Sequence, residues 1–249
     1  MDKKKKIADP EDVMGTAMLD YLKDRPWENI RTWTSVGGYD ELPLPYLFRT
    51  YPEMPGLEQK ALQLARGSVL DIGCGAGSHA LWLQEQGMRV RAIDISRGAI
   101  EACRIRGVRD AELKSIWNVH GETYDTLLLL MNGMGICNKL EKLPDLLVHL
   151  KGLLKPGGQI LADSSDLIYM FEQEDEDADQ TNPEYALPAD HYYGEVIFRT
   201  FYKDLAGDEF PWLYVDFHNL SLHASEAGLK CELVTEGEHY DYLARLSHE

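Results

Sequence analysis

The stretch VLDIGCGAGSHALWLQEQG, from Val69 to Gly87, limits the fold more than any other part of the chain. It opens apolar and β-branched, breaks at three glycines spaced two apart (Gly73, Gly75 and Gly77), and resumes as a helical pattern that stops at Gly87. Strand, tight turn and helix in that order begin a parallel βαβ unit. Glycines permit backbone angles closed to other residues and let a ligand lie on the main chain. Open α/β sheets bind ligands outside the carboxyl ends of their strands. The Gly73–Gly77 turn therefore predicts a cofactor site, with the carboxylate of Asp71 beside it.

The alternation continues. RVRAIDIS reads as a second strand, and RGAIEACRIRG as a helix with Ser96 as N-cap and Gly107 as its stop. AELKS is a short third strand and YDTLLLLMNG a strong fourth. LPDLLVHLKGLLKPGG is a helix closed by a Pro-Gly-Gly turn, and QILADSS is strand five. Continuous apolar strands between helices predict a parallel sheet covered on both faces. Upstream, Val13, Met14, Ala17, Met18, Tyr21 and Leu22 form one helical stripe. Residues 27–56, aromatic-rich and broken by four prolines, read as irregular structure packed on the rest. After strand five comes an acidic run, FEQEDEDADQTNPE, read as a solvated insertion. A hairpin around Ala206-Gly207-Asp208, a helix over 219–227 and two antiparallel strands complete the chain. The expected division is an N-terminal helical and irregular cap over 1–55 and a core over 56–249 carrying an insertion at about 166–216.

Composition bounds the partners. At 249 residues and 44% hydrophobic, the chain is long enough for one large domain or a domain with a small cap. With 25 basic and 42 acidic residues its net charge is −17, a field that repels phosphate backbones, so no nucleic acid is expected. Lys3–Lys6 reads as a solvated tail. No apolar run approaches the ~18–20 residues of a membrane span, and no apolar segment follows the lysines to make a signal peptide. Cys74, Cys103, Cys137 and Cys231 show no C-x-x-C spacing, and the eight histidines show none typical of metal ligands. Reduced thiols, a cytoplasmic location and no metal are the expectation.

The glycine spacing chooses between cofactors. A dinucleotide turn is G-x-G-x-x-G, whereas here the third glycine comes one residue early and Ser78 follows it. Asp71 has the wrong sign for a pyrophosphate and the right one for an ammonium group or ribose hydroxyls. LDIGCGAG resembles motif I, D/E-x-G-x-G-x-G, of the class I S-adenosylmethionine-dependent methyltransferases. AIDIS supplies the family's second acid, Asp94, 17 residues past Gly77; its two acceptor oxygens suit two adjacent hydroxyls. LLKPGGQIL precedes strand five as in that family, and the resemblance spans about Gly67 to Ser165.

The resemblance implies an α/β, three-layer Rossmann-like methyltransferase fold with a mostly parallel seven-stranded sheet and an antiparallel C-terminal strand, plus the helical cap and an inserted β-hairpin. It implies S-adenosylmethionine as cofactor and S-adenosylhomocysteine as product. Asp71, Gly73, Cys74, Gly75, Gly77, Asp94 and Ile95 would hold the cofactor, with Ile116 and Trp117 sandwiching its adenine. Ser115, also counted among the cofactor residues, stands where relatives often carry an acid; with this departure the adenine amine would meet it or a backbone carbonyl. Asn132 and Gly133 would line the pocket near the methyl group, with Asn132 as the candidate catalytic residue. The N-P-P-Y motif of amide and adenine methylases is missing.

Methyl transfer is an in-line displacement that depends on positioning, and no general base is obligatory. A small-molecule acceptor is expected, in a pocket roofed by the aromatic stretches that contribute Tyr46, Arg49, His191 and Tyr192. Arg49 would meet the cofactor carboxylate, an acidic substrate or one of the chain's own acids. His79 reads as structural. The alternatives are a protein or RNA acceptor and a non-catalytic cofactor-binding relative; monomer and homodimer both stay open.

Overall fold

A computed structural model describes residues 12–171 and 191–249. The expectations for Lys3–Lys6 and for the acidic run at Glu172–Asp179 lie outside the described residues. A seven-stranded sheet forms the centre. In chain order its strands are β3 (Ser68–Ile72), β4 (Arg89–Asp94), β5 (Ala111–Leu113), β6 (Tyr124–Leu129), β7 (Leu154–Ser165), β11 (Leu229–Glu236) and β12 (Asp241–His248). The spatial order is β11-β12-β7-β6-β3-β4-β5. Strands β3 to β7 run parallel, whereas β12 lies antiparallel to both β7 and β11. The chain moves outward from β3 to β5 and then returns to place β6 on β3's other side, so the order reverses at β3 and β6.

Helices α2 (Gly56–Leu64), α3 (Ser78–Glu85), α4 (Arg97–Arg106), α5 (Leu143–Gly152) and α6 (Phe217–Glu226) cover the two faces. The leucine run of β6 shows why these strands do not alternate. Leu127 and Leu129 pack with Leu146, Leu147 and Leu150 of α5 and Leu220 of α6, while Leu128 faces Leu57, Leu62 and Leu83 of α2 and α3. All three leucines are fully buried, the signature of a strand with no wet face. The expected Pro-Gly-Gly turn lies inside β7 instead. Tyr124 pairs with Leu154 but Thr126 pairs with Gln159, so the extra residues are taken up as an irregularity in the ladder.

A second, antiparallel sheet contains β1 (Ile30–Thr34), β2 (Gly38–Leu42), β8 (Glu195–Tyr202) and β10 (Phe210–Leu213), in the order β10-β8-β1-β2, with the short β9 (Leu205–Ala206) on β8. The segment read as irregular thus contains a hairpin, turning at Gly37-Gly38 with Gly38 at φ +66°. β1 also pairs with β8, from Arg31 opposite Phe201 to Thr34 opposite Phe198. Cap and insertion therefore share one canopy sheet. Ile30, Leu44 and Tyr202 bury with Val13, Ala17 and Met18 of α1 (Val13–Leu22) and with Ala76, Ala99 and Ala102 of the core. That cluster fastens the canopy and α1 over the carboxyl ends of β3 and β4.

Among the described residues no helix is long and apolar enough to cross a membrane. No His, Cys, Asp and Glu among them group to hold a metal.

Candidate active site

The glycine turn is pinned to β4 by hydrogen bonds from the Gly73 and Cys74 amides to the Ile93 carbonyl, at 2.9 and 3.1 Å. Gly73, Gly75 and Gly77 all take left-handed backbone angles, with φ of +73°, +52° and +82°. Their surroundings differ. A Cβ on Gly77 would lie 2.8 Å from Cys103 Sγ and 2.9 Å from Val108, so the protein itself fills that space. At Gly73 and Gly75 the nearest atoms would be 3.8 and 3.9 Å away, on Ile136 and Met18. The first two glycines therefore form an open cradle and the third a packing contact. Cys74 is buried, its sulfur 3.7 Å from that of Cys103.

Two carboxylates flank the cradle. Asp71 is buried, and its Oδ2 has no hydrogen-bond partner among the described residues. Burial pushes its carboxyl up to about 6, with His79 opposing the shift and Asp94 adding to it. An isolated buried carboxylate is costly, so this atom calls for a cationic or donor group. Asp94, at the end of β4, accepts from the Gly75 amide through Oδ2 at 2.9 Å and from the Ser96 amide through Oδ1 at 2.8 Å. Desolvation raises its pKa, and the amide hydrogen bonds oppose that rise. Ser96 caps α4 by accepting from the Ala99 amide.

The other expected cofactor residues surround these acids. Ile95 is exposed (78%), open to a ligand beside Asp94. Ser115 caps the short turn over Ile116–Asn118. Ile116 is buried in the core, whereas Trp117 is 40% exposed with its ring 5.5 Å from that of His149. Asn132 sits in the left-handed region at φ +57°, and Gly133 starts the next turn under Leu129.

Asp163, near the end of β7, was not singled out in the sequence. It accepts from the amides of Met131 and Asn132 at 3.1 and 2.7 Å, which shapes the loop after β6. Burial pushes its carboxyl up to about 6 against those hydrogen bonds. The signal that reveals Asp71 and Asp94, an acid ending an apolar strand, marks Asp163 in QILADSS too.

Glu58 had no such signal. On the first turn of α2 it receives both Arg49 Nη2 contacts, at 2.5 and 2.6 Å, and lies 2.6 Å from His79 Nε2, with all three side chains buried. Burial raises its pKa, but His79 and Arg49 outweigh that and hold it below the ordinary value. The Arg49 guanidinium also lies 4.0 Å over the Tyr46 ring. Of the three partners left open for Arg49, the chain's own acid is the one it meets. His79, read as structural, is buried against Glu58.

Between the canopy and the carboxyl ends of β6 and β7 lies a cavity of about 380 Å³, lined among others by Tyr46, Glu58, Met131, Asn132 and Asp163. Tyr46 and Asn132 both line it, but Arg49 stands behind Tyr46. His191 and Tyr192 line neither this cavity nor an adjoining one of about 430 Å³ that shares Phe198 and Tyr214 with it. His191 is exposed. The Tyr192 hydroxyl donates to Asp216 Oδ2 at 2.5 Å and accepts from the Asp216 amide, which secures the N-cap of α6. Thr32, Phe198 and Tyr214 of the canopy region take the places expected of them.

A parallel sheet with this strand order, a glycine cradle at its switch point and acids ending its first two strands define a class I methyltransferase fold and site. The comparisons with known proteins agree. A family model described as a methyltransferase domain matches residues 69–158. A crystal structure of a SAM-dependent methyltransferase from Bacteroides fragilis, in complex with S-adenosyl-L-homocysteine, is 44% identical and superposes with a TM-score of 0.85, covering 96% of this chain and 95% of that one. The chain belongs to the S-adenosylmethionine-dependent methyltransferase family. Among curated proteins, a cypemycin N-terminal methyltransferase from Streptomyces sp is 32% identical over 108 residues, covering 40% of this chain and 42% of its own length. A ubiquinone biosynthesis O-methyltransferase from Vibrio cholerae is 29% identical over 113 residues, covering 41% of this chain and 43% of its own. The chain thus spans about two fifths of the length of the curated relatives it matches.

Proposed function

We propose that the protein transfers the methyl group of S-adenosylmethionine to a small molecule held between the central sheet and the canopy. The observation that carries this reading is the cavity of about 380 Å³ at the carboxyl ends of β6 and β7. Its size suits a metabolite rather than a polymer segment.

The residues present fit the cofactor. Gly73 and Gly75 leave room against the main chain, Asp71 Oδ2 is a buried acceptor in want of a donor, and Asp94 stands at the end of β4 with both oxygens already oriented by amides. Asp71 would meet the ammonium group and Asp94 the ribose hydroxyls. Ile95 and Trp117 would flank the adenine. When bound, the cofactor supplies an electrophilic methyl group on a sulfonium. The chain's own contribution is to hold and orient. The loop Met131–Gly133, fixed by Asp163, forms the floor on which an acceptor would rest, and Tyr46 forms a wall. Holding the acceptor in line replaces a bimolecular encounter, worth up to ~7–11 kcal/mol in favourable cases. The four free thiols support a reducing, cytoplasmic setting.

Calorimetric titration with S-adenosylmethionine, S-adenosylhomocysteine and NADH tests the cofactor half. Micromolar binding of the first two and none of the third is expected. NADH binding alone, or no binding by a folded sample, overturns the proposal.

A further inference from the structure

The chamber continues into a second cavity of about 430 Å³, and the two share Thr32, Asp40, Ser165, Phe198, Tyr214 and Asp241. Among the described residues no Lys or Arg lines either cavity, whereas Asp40, Glu41, Glu58, Asp163 and Asp241 line the first. Their charges are not equally compensated. Glu58 is paired with Arg49 and hydrogen-bonded to His79. Among the described residues Asp163 accepts hydrogen bonds from the amides of Met131 and Asn132. Asp40 receives the Glu41 amide, and Asp241 receives the His239 amide. Among the described residues none of these three aspartates forms an ion pair. Phe198 and Tyr214 stand beside them with rings stacked 6.1 Å apart.

A cavity with this lining repels a carboxylate or phosphate. It gives a neutral hydroxyl acceptor no charge advantage. An organic cation is favoured twice, by the aspartates and by the aromatic faces, which attract cations electrostatically.

We infer that the acceptor is an amine, recognised in its ammonium form by Asp40, Asp163 and Asp241 against Phe198 and Tyr214. This rests on the chamber being the acceptor site of a methyltransferase. The ammonium first releases one proton to water. The nitrogen lone pair then forms the new N–C bond to the methyl carbon, the C–S bond breaks, and its electron pair stays on sulfur as the thioether. The product nitrogen carries one more methyl group and the positive charge. That charge keeps the product suited to the same acid and aromatic lining; once it releases a further proton to water and a fresh S-adenosylmethionine replaces the thioether, the same nitrogen can accept a second methyl group.

The test uses the full chain saturated with S-adenosylhomocysteine and three probes of similar size: benzyltrimethylammonium, benzyl alcohol and phenylacetate. Calorimetry is expected to show the cation binding at least about tenfold more tightly than either other probe, in keeping with a desolvated cation–π and charge contribution. Asp40→Asn and Asp241→Asn should each weaken the cation about threefold to tenfold and leave benzyl alcohol unaffected. Both residues are at the cavity surface, and S-adenosylhomocysteine binding by each variant reports that it is folded. Equal binding of the three probes, preference for phenylacetate, or no cation binding by the loaded protein overturns the amine assignment alone. Failure to bind S-adenosylhomocysteine overturns the methyltransferase reading beneath it.

Discussion

The glycine turn and the chamber under the canopy are built by opposite means. The turn is a backbone object. Its shape comes from three left-handed glycines, from amide bonds to Ile93, and from two strand-end acids within residues 71–94. The chamber is a side-chain object whose lining runs from Thr32 to Asp241. Its floor is set by Asp163, one wall by the buried Arg49–Glu58–His79 group, and its roof by a separate sheet. The roof meets the floor where Trp212 Nε1 donates to the Asn132 carbonyl at 3.1 Å and its ring lies where a Gly135 side chain would be. A backbone cradle can serve a constant ligand with few sequence choices. A pocket assembled from distant side chains can change its ligand without disturbing the sheet.

The sharpest way to break this contrast is at Glu58. Glu58→Ala leaves Arg49 buried without its partner, and a loss of about 3–5 kcal/mol in unfolding stability is expected. Urea denaturation checks it; a loss below about 1 kcal/mol would mean the chamber wall does not depend on that pair. On the cofactor side, Asp94→Ala should cost about 1.5–3 kcal/mol of S-adenosylhomocysteine affinity, the range for hydrogen bonds to a charged group. Unchanged affinity in a folded variant would remove Asp94 from the site.

A smaller effect comes from pH. The folded pKa of Asp71 is raised to about 6, above its unfolded value. In the ligand-free protein its stabilising contribution is therefore present at low pH and lost as pH rises through about 6. A cofactor ammonium needs the ionised form, so affinity should fall about tenfold from pH 7 to pH 5. Asp71→Asn should flatten that slope, and a slope that persists would assign the titration to another group. The smallest effect is expected at the seam between roof and floor. Trp212→Phe removes one hydrogen bond and should lower stability by about 0.5–1.5 kcal/mol, read by thermal unfolding, with cofactor affinity unchanged. A marked loss of affinity would show that the two regions are not separate.

The same contrast explains what could be read from the sequence. The parallel sheet and the cradle were legible because their determinants are contiguous: an apolar strand, its terminal acid and the glycines after it. The canopy was not. β1 and β2 carry no clean alternation of buried and exposed residues, although Gly37-Gly38 between two aromatic runs was a hairpin signal. Glu58 resembles an ordinary acid on a helix's first turn; only folding brings it between residues nine positions before and 21 after. The aromatic clusters at Tyr46 and Tyr192 looked alike in the sequence. One lines the chamber, and the other spends its hydroxyl on Asp216.

Asp12 is the first described residue and serves two helices. Its carboxylate accepts from the Gly15 amide of its own helix at 3.0 Å, and from Ser96 Oγ and the Gly98 amide of α4 at 2.7 and 2.8 Å. Gly15 and Gly98 meet so closely that a Cβ on Gly98 would lie 2.4 Å from Gly15 Cα. The clamp holds Ser96, two residues past Asp94, so fraying of α1 from α4 would loosen the segment that orients the Asp94 carboxylate. Ligand binding would then slow amide exchange at Gly15 and Gly98 together. A ligand held by Asp94 would then stay bound for a time set by how often α1 lets go of α4.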